Sequence, residues 1–429
     1  MAEVQRSSLT RVIASSLIGT TIEWYDFFLY GSAAALVFNK LFFPSFDPLV
    51  GTLLAFATYA VGFVARPLGG IVFGHFGDRV GRKKLLMWSL VMMGLATVLI
   101  GLLPGYDGIG IWAPIGLIVL RVFQGFAVGG EWGGAVLMAA EHGDDARRGF
   151  WSSWPQAGVA LGNLLATAVL WILALVQPDA AFDAWGWRIP FLLSAVLVLV
   201  GLWVRLSIEE SPLFRRSVEN RERRPLLEVI RRYPREVVLA IGMRLAENIA
   251  YYLFTVISIT FLTTYAGKPA DKDTILTALV IGSAVQFVLI PLIGALSDRI
   301  GRRPLYLAGA IGVAVWIYPF LKLVGTRSAG PITLAVVVGL ILHALMYAPQ
   351  AAFFAELFGT TVRYTGASVG YQLASILAGA PAPIIALKLL GDTADPNLGA
   401  VTVYMAVASV LTVIAVLAAK ETARSSLDK

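Results

Sequence analysis

Cysteine is absent from the 429 residues, which excludes disulfides and thiolate chemistry and leaves the compartment open. Charge is almost as scarce. Asp, Glu, Lys and Arg make up 14% of the chain against 58% hydrophobic residues, and mean hydropathy is +0.76. A soluble chain carries about 25% charged residues, so a soluble protein is excluded. No Walker loop is present, so ATP hydrolysis is not the energy source, and no catalytic constellation suggests an enzyme. Glycine pairs such as Gly129-Gly130 lie inside apolar runs, where they serve helix packing and not a dinucleotide.

What is present is long apolar runs. A helical span takes roughly 20 mainly apolar residues. Twelve such runs occur, at about 12–38, 50–73, 85–103, 112–139, 150–176, 188–205, 236–264, 274–297, 304–323, 331–356, 365–390 and 397–419. Their length predicts helices; barrel strands would alternate over about ten residues. Twelve spans return both termini to one side, and that side carries 24 of the 34 Lys and Arg residues, the opposite loops seven and the spans three (Arg66, Arg121, Arg244). Positive charge stays inside, so both termini are expected in the cytoplasm. The net charge of +7 then reads as a retention signal and not as nucleic-acid recognition. The first run is too long for a cleavable signal peptide, and Glu23 and Asp26 interrupt it.

The chain is also a tandem repeat. Gly74-His-Phe-Gly-Asp-Arg-Val-Gly-Arg-Lys-Lys84 returns as Gly294-Ala-Leu-Ser-Asp-Arg-Ile-Gly-Arg-Arg303, with Asp78 matching Asp298 and Arg82 matching Arg302. Glu141 followed seven residues on by Arg148 returns as Glu356 followed by Arg363. Each charged stretch is expected to be a tight turn between spans.

This repeated turn resembles the signature loop of the major facilitator superfamily. Glu23-Trp-Tyr-Asp-Phe-Phe-Leu-Tyr-Gly31, Arg121-Val-Phe-Gln-Gly-Phe-Ala-Val-Gly-Gly-Glu-Trp-Gly-Gly134 and Glu209-Glu-Ser-Pro212 resemble its metabolite:proton symporter branch. Members of that branch carry shikimate, citrate and other tricarboxylates, 2-oxoglutarate, or proline and betaine. The resemblance covers nearly the whole chain. It implies an all-α integral membrane protein of twelve helices in two six-helix pseudo-symmetric bundles, with the site between them at mid-membrane. The expected units are 1–205, a cytoplasmic linker at 206–235 carrying a surface helix, and 236–429.

An ionisable side chain within a span costs about 2.5–3.5 kcal/mol on insertion scales, so it faces a cavity or a partner. Glu23, Asp26 and Tyr30 stand at i, i+3 and i+7 on one face of the first helix; Glu23 and Asp26 suit proton coupling, or a structural ion pair, and Tyr30 substrate binding. Arg66 is either a structural partner or a ligand. At 1.5 Å per residue, Arg121 lies roughly 13 Å below one surface and Asp26 roughly 21 Å above the other, nearly the same depth in a core of about 30 Å. Arg121 therefore needs an acid or a cargo carboxylate, and is expected to be held by Asp26 until cargo arrives. Sugar porters of the superfamily have a similar acid and arginine as a coupling pair. Glu131 is a proton site or a latch partner.

Further binding candidates are Gln124, Gln156 and Asn163 in the first half. The second half adds Arg244, Glu247, Asn248 and Tyr251 at i, i+3, i+4 and i+7, then His343, Tyr347 and Gln372. His343 is either a proton relay or a hydrogen-bonded structural imidazole. Asp78, Arg79, Arg82, Glu141, Arg148, Asp298, Arg299, Arg302, Glu356 and Arg363 resemble the superfamily's gating charges. The spans hold Glu23, Asp26, Glu131 and Glu247 against three arginines, a surplus of one acid that is free to load a proton.

The expected function is proton-coupled uptake of a small organic acid by a monomeric carrier in the inner membrane. No cofactor is expected beyond the proton, and no metal or nucleic acid. A zwitterionic or neutral cargo, or export, is the alternative. The osmosensing type of proline/betaine carrier would bear a long C-terminal coiled coil, whereas about ten residues follow the last span here. A sensor would need a large soluble output region.

Overall fold

Charge confined to the ends of long apolar runs leaves each run one way to satisfy its backbone in lipid, an α-helix. The structure is a computed structural model. It describes the chain except residues 1, 81, 130–135, 138, 141–142, 207–224, 266–271, 360–361, 424 and 426–429, and no side chain at 2–8, 71, 73–80, 82–86, 205, 225–227 or 364.

Among the described residues there is no strand, and twelve long helices follow one another. They are α1 (Ala2–Ala33), α2 (Pro48–Val80), α3 (Arg82–Leu102), α4 (Trp112–Val128), α5 (Arg148–Val176), α6 (Arg188–Leu206), α7 (Pro234–Tyr252), α8 (Lys272–Ile300), α9 (Arg302–Gly325), α10 (Ala329–Leu357), α11 (Arg363–Ala374) and α12 (Leu398–Ala418). Three continue through a π turn: α1 at Ala34–Phe38, α7 at Leu253–Ile257 and α11 at Ser375–Gly379. The first two turns begin 219 residues apart, so the repeat extends to the helix geometry.

Among the described residues eight helices are long and apolar enough to cross a bilayer, and the bent pair Asp179–Gly186 plus Arg188–Val204 makes a ninth. Met87–Leu102 and Trp112–Val128 are shorter apolar helices. Glu23 and Asp26 interrupt the apolar run of α1. Exposed Leu68, Leu95, Leu199, Trp203, Val288 and Val315 form the apolar outside that lipid requires.

The expected turns are mostly helix. α2 runs on to Val80, and α8 runs to Ile300, so the second charged turn reduces to Gly301 at φ 103 before α9 begins. Only glycine takes that backbone without strain. A short helix, Pro225–Arg232, precedes α7.

The two halves meet most extensively along α5 and α8, with α5 also against α10. Gly149 and Gly294 bring the first pair into backbone contact: a Cβ on Gly149 would lie 2.5 Å from the Gly294 carbonyl, and one on Gly294 2.6 Å from the Gly149 carbonyl.

Candidate functional site

Among the described residues, two of the cavities between the spans are each of about 10 Å3, room for roughly one water. The first is lined only by the first half, by Glu23, Asp26, Phe27, Arg66, Met93, Arg121, Gln124, Gly125 and Val128. Here the expected ion pair between Asp26 and Arg121 does not form. Asp26 Oδ1 accepts from Ser194 of α6, and Oδ2 makes no hydrogen bond. Arg121 Nη1 donates to Gln124 Oε1 at 2.9 Å, and Gln124 Nε2 donates to Thr97 at 2.6 Å. The guanidinium is caged by the rings of Tyr30, Phe27 and Tyr59 at 4.2, 4.6 and 4.7 Å. Such faces attract a cation, which is how Arg121 persists at 1% exposure without a carboxylate in contact among the described residues. Gly62 makes the space: a Cβ there would lie 2.6 Å from Arg121 Nε. Tyr30 bonds Thr58 at 2.6 Å. Arg66 stacks on Phe27 at 4.4 Å.

The second cavity lies between the halves. Trp24, Phe28 and Val159 face it from the first half; Arg244, Glu247, Asn248, Tyr251, Tyr252, His343, Tyr347 and Tyr371 face it from the second. Of the expected residues, the structure thus gathers Arg244, Glu247, Asn248, Tyr251, His343 and Tyr347 at one place. Arg244 lies face-on to Tyr371 at 3.4 Å, with Nε 3.4 Å from Glu247 Oε2. Its Nε and Nη1 make no hydrogen bond, nor do Asn248 Nδ2, Tyr251 OH and Tyr347 OH. Buried polar atoms left unsatisfied are costly, and here they converge on one cavity. Glu247 is further held by His343 Nε2 at 3.0 Å and Gln350 Nε2 at 3.3 Å.

Gln156 and Asn163 of α5 stitch the halves together beside this cavity, donating to the Tyr347 carbonyl at 3.1 Å and Ser283 Oγ at 2.9 Å. Gln372 is part-exposed and does not line it.

Both ends are clasped. At the end carrying the termini, Asp298 accepts from the Gly149 and Phe150 backbone N–H groups at 2.7 and 3.0 Å, a second-half acid capping the first turn of α5. Arg302 pairs with Asp298 at 2.7 Å and with Glu356 at 3.2 Å. Glu356 also takes Arg148 of the first half at 2.9 Å. Arg148 additionally binds Asp145. Glu421 accepts from the backbone N–H groups of Arg302 and Arg303, each at 3.0 Å. Burial raises its pKa, but four backbone N–H bonds outweigh this and hold it below the ordinary value. Arg363 is buried and donates to the Phe358 carbonyl. Arg299 is exposed and outside this network. Glu131 and Glu141, and the side chains of Asp78, Arg79 and Arg82, lie outside the described residues.

At the opposite end Lys272 of α8 binds Asp179 of the first half at 2.7 Å and lies over Phe182 at 3.8 Å. The Lys272 hydrogen bond and charge lower the Asp179 pKa.

Sequence reasoning missed Ser194, Thr97, Lys272, Asp179, Glu421 and Gln286. Gln286, a lone amide in a long apolar run, could have been noticed on the rule that intramembrane polar groups have partners. Nothing local marks the others.

Residues 12–232 and 223–429 each match the sugar (and other) transporter family. The chain is 41% identical over 424 residues to the shikimate transporter of Escherichia coli K12, covering 98% of this chain and 96% of that one. It is 42% identical over 426 residues to an inner membrane metabolite transport protein of the same strain, with the same coverage. The proline/betaine transporter of that strain is 34% identical over 436 residues, 99% of this chain and 86% of the other. Among solved structures, the proton:xylose symporter bound to 6-bromo-6-deoxy-D-glucose superposes with a TM-score of 0.75 at 18% identity, over 97% of each chain. The chain is a multi-pass membrane transporter, not an enzyme, and belongs to the sugar (and other) transporter family within the major facilitator superfamily.

Proposed function

We propose that the protein is a proton-coupled symporter that takes up a small organic acid by alternating access, with shikimate the first cargo to try. The observation that carries this reading is Arg244, a buried guanidinium with two N–H groups making no hydrogen bond, in an aromatic cavity lined by both halves. A planar fork of donors suits a carboxylate, and neighbouring Asn248, Tyr251 and Tyr347 suit its hydroxyls. The reading moves the cargo's carboxylate from Arg121 to Arg244, because Arg121 is enclosed by rings of its own half. Glu23, Asp26, Arg66 and Arg121 are then the proton-coupling group. Among the described residues Asp26 accepts from Ser194 on one oxygen and makes no hydrogen bond on the other, so it can take a proton without breaking an ion pair.

With both ends clasped and cavities of about 10 Å3, the conformation fits an occluded intermediate. Cargo enters when the Lys272 clasp parts and leaves when the Glu356 clasp parts. The end carrying the termini is assigned to the cytoplasm of a bacterial inner membrane, as the distribution of Lys and Arg requires. The functional units are the two bundles 1–205 and 236–429, joined by 206–235.

A zwitterionic cargo is the second reading. The proline/betaine relatives favour it, as does an aromatic cavity that suits an ammonium as well as an acid. Thermal shift of the purified protein against shikimate, di- and tricarboxylates, proline and betaine decides between them, at about pH 5.5 and about pH 7.5, either side of the imidazole pKa. Stabilisation by a carboxylate, larger at the lower pH, supports the first reading. Stabilisation by betaine or proline alone overturns it.

A further inference from the structure

Three helices of the second half meet around one imidazole. His343 of α10 is 1% exposed. Its Nδ1 lies 2.9 Å from Gln286 Nε2 of α8, and its Nε2 lies 3.0 Å from Glu247 Oε1 of α7. Gln286 Nε2 also donates to the Leu340 carbonyl at 3.2 Å, so both amide hydrogens are used. The opposite amide orientation would set oxygen against oxygen there. Nδ1 is therefore an acceptor, and the single ring proton sits on Nε2 and is donated to Glu247. Gln286 Oε1 is buried and makes no hydrogen bond.

The charged groups facing this imidazole are Glu247 and, behind it, Arg244, both on α7. The other titratable neighbours are phenols: Tyr251 of α7, with its ring 4.7 Å away, Tyr347 of α10 at 5.1 Å, Tyr306 of α9 and Tyr371 of α11. Arg244 and Glu247 thus cancel. A carboxylate arriving at Arg244 adds one negative charge to a cavity that excludes water, and an uncompensated buried charge is strongly unfavourable.

We propose that Glu247, His343 and Gln286 form a proton-binding chain in the second half, loaded when an anionic cargo occupies the cavity beside Arg244. The inference rests on the reading that the cargo is anionic and pairs with Arg244. The proton comes from water and binds the Nδ1 lone pair. Gln286 turns its amide through half a rotation so that Oε1 accepts the new N–H, giving up the bond to Leu340. No other bond changes, and the imidazolium returns the proton when cargo leaves. The site is separate from Asp26, which lies in the other half, so the two protonations can be removed one at a time.

The test uses the full chain in detergent, weakly buffered at about pH 6.5, near the imidazole pKa. Proton uptake is followed with an indicator dye as shikimate, or the strongest carboxylate of the thermal-shift panel, is added. Wild type should take up protons as ligand binds. His343→Gln should take up one proton fewer per ligand bound, whatever its affinity, and in Asp26→Asn the His343-dependent uptake should persist. Should His343→Gln fail to fold, the His75→Gln/His142→Gln chain leaves one of the three histidines, and its 15N spectrum should show Nδ1 gaining a proton on ligand addition. Unchanged uptake in His343→Gln, or an unmoved Nδ1 signal, overturns this inference alone. Failure of every carboxylate to bind wild type overturns the anionic-cargo reading and this inference with it.

Discussion

Arg121 and Arg244 are both buried on spanning helices, and their surroundings differ. Arg121 is enclosed by three rings and Gln124 of its own half; Arg244 faces the seam with Nε beside Glu247 and with Nε and Nη1 making no hydrogen bond. Arg244→Lys keeps the charge and loses the fork, so it should weaken carboxylate binding about tenfold or more, a bidentate charge-assisted pair being worth roughly 1.5–3 kcal/mol. Isothermal titration of the folded variant checks this, and wild-type affinity would return the carboxylate to Arg121. Asp26→Asn should abolish uphill accumulation while counterflow exchange in proteoliposomes survives. Continued concentration against a gradient would remove Asp26 from the coupling role. Both residues stood out in the sequence because a charge in a span is costly enough to need a reason. Which arginine meets the seam depends on how α1, α2 and α4 rotate about one another, and that is set by close glycine contacts such as Gly62 beside Arg121, which helical spacing alone does not reveal.

Among elements, the junction of α8 and α9 shows how a short motif does several jobs. Gly301 turns the chain at φ 103, Asp298 reaches across to cap α5, and Glu421 of the segment after α12 caps α9. Gly301→Ala should be destabilised by about 1 kcal/mol or more from backbone strain alone, and its Cβ would lie 2.7 Å from Glu421 Oε2; a lower melting temperature than wild type is expected. Glu421 also gives a pH dependence. Its folded pKa lies below the ordinary value, so its contribution is complete above that value, near 4.3, and fades as pH falls through the lower folded one. Melting temperature against pH should show Glu421→Gln less stable than wild type at neutrality, with the gap closing below about pH 4. The first half of this arrangement was legible in the repeated Asp-Arg-x-Gly-Arg stretch. The second was not, because Glu421 sits over a hundred residues from the amides it caps, and a lone Glu after an apolar run carries no signature.

At the scale of the molecule, the twelve helices and their repeat followed from run length and spacing, whereas the state in which the halves are held did not. That state depends on Glu356 serving Arg148 and Arg302 at once. Glu356→Gln would leave two buried guanidinium groups short of a countercharge, a loss of the order of 3–5 kcal/mol in such pairs, so this end should spend more time open. The native lack of cysteine makes the measurement clean. A Ser153→Cys reporter, at the α5–α8 seam beside Gly294, should be alkylated slowly in the parent and faster with Glu356→Gln. Equal rates would mean the clasp does not hold that end shut.

The two clasps also differ in how much water they see. Arg148, Glu356 and Arg302 are at most 1% exposed, while Asp179 is 83% exposed opposite Lys272. Dissolved ions screen exposed pairs and barely touch buried ones. Rising ionic strength should therefore loosen the Lys272 end and spare the Glu356 end, so that the salt of the medium on one face shifts which way the empty carrier points.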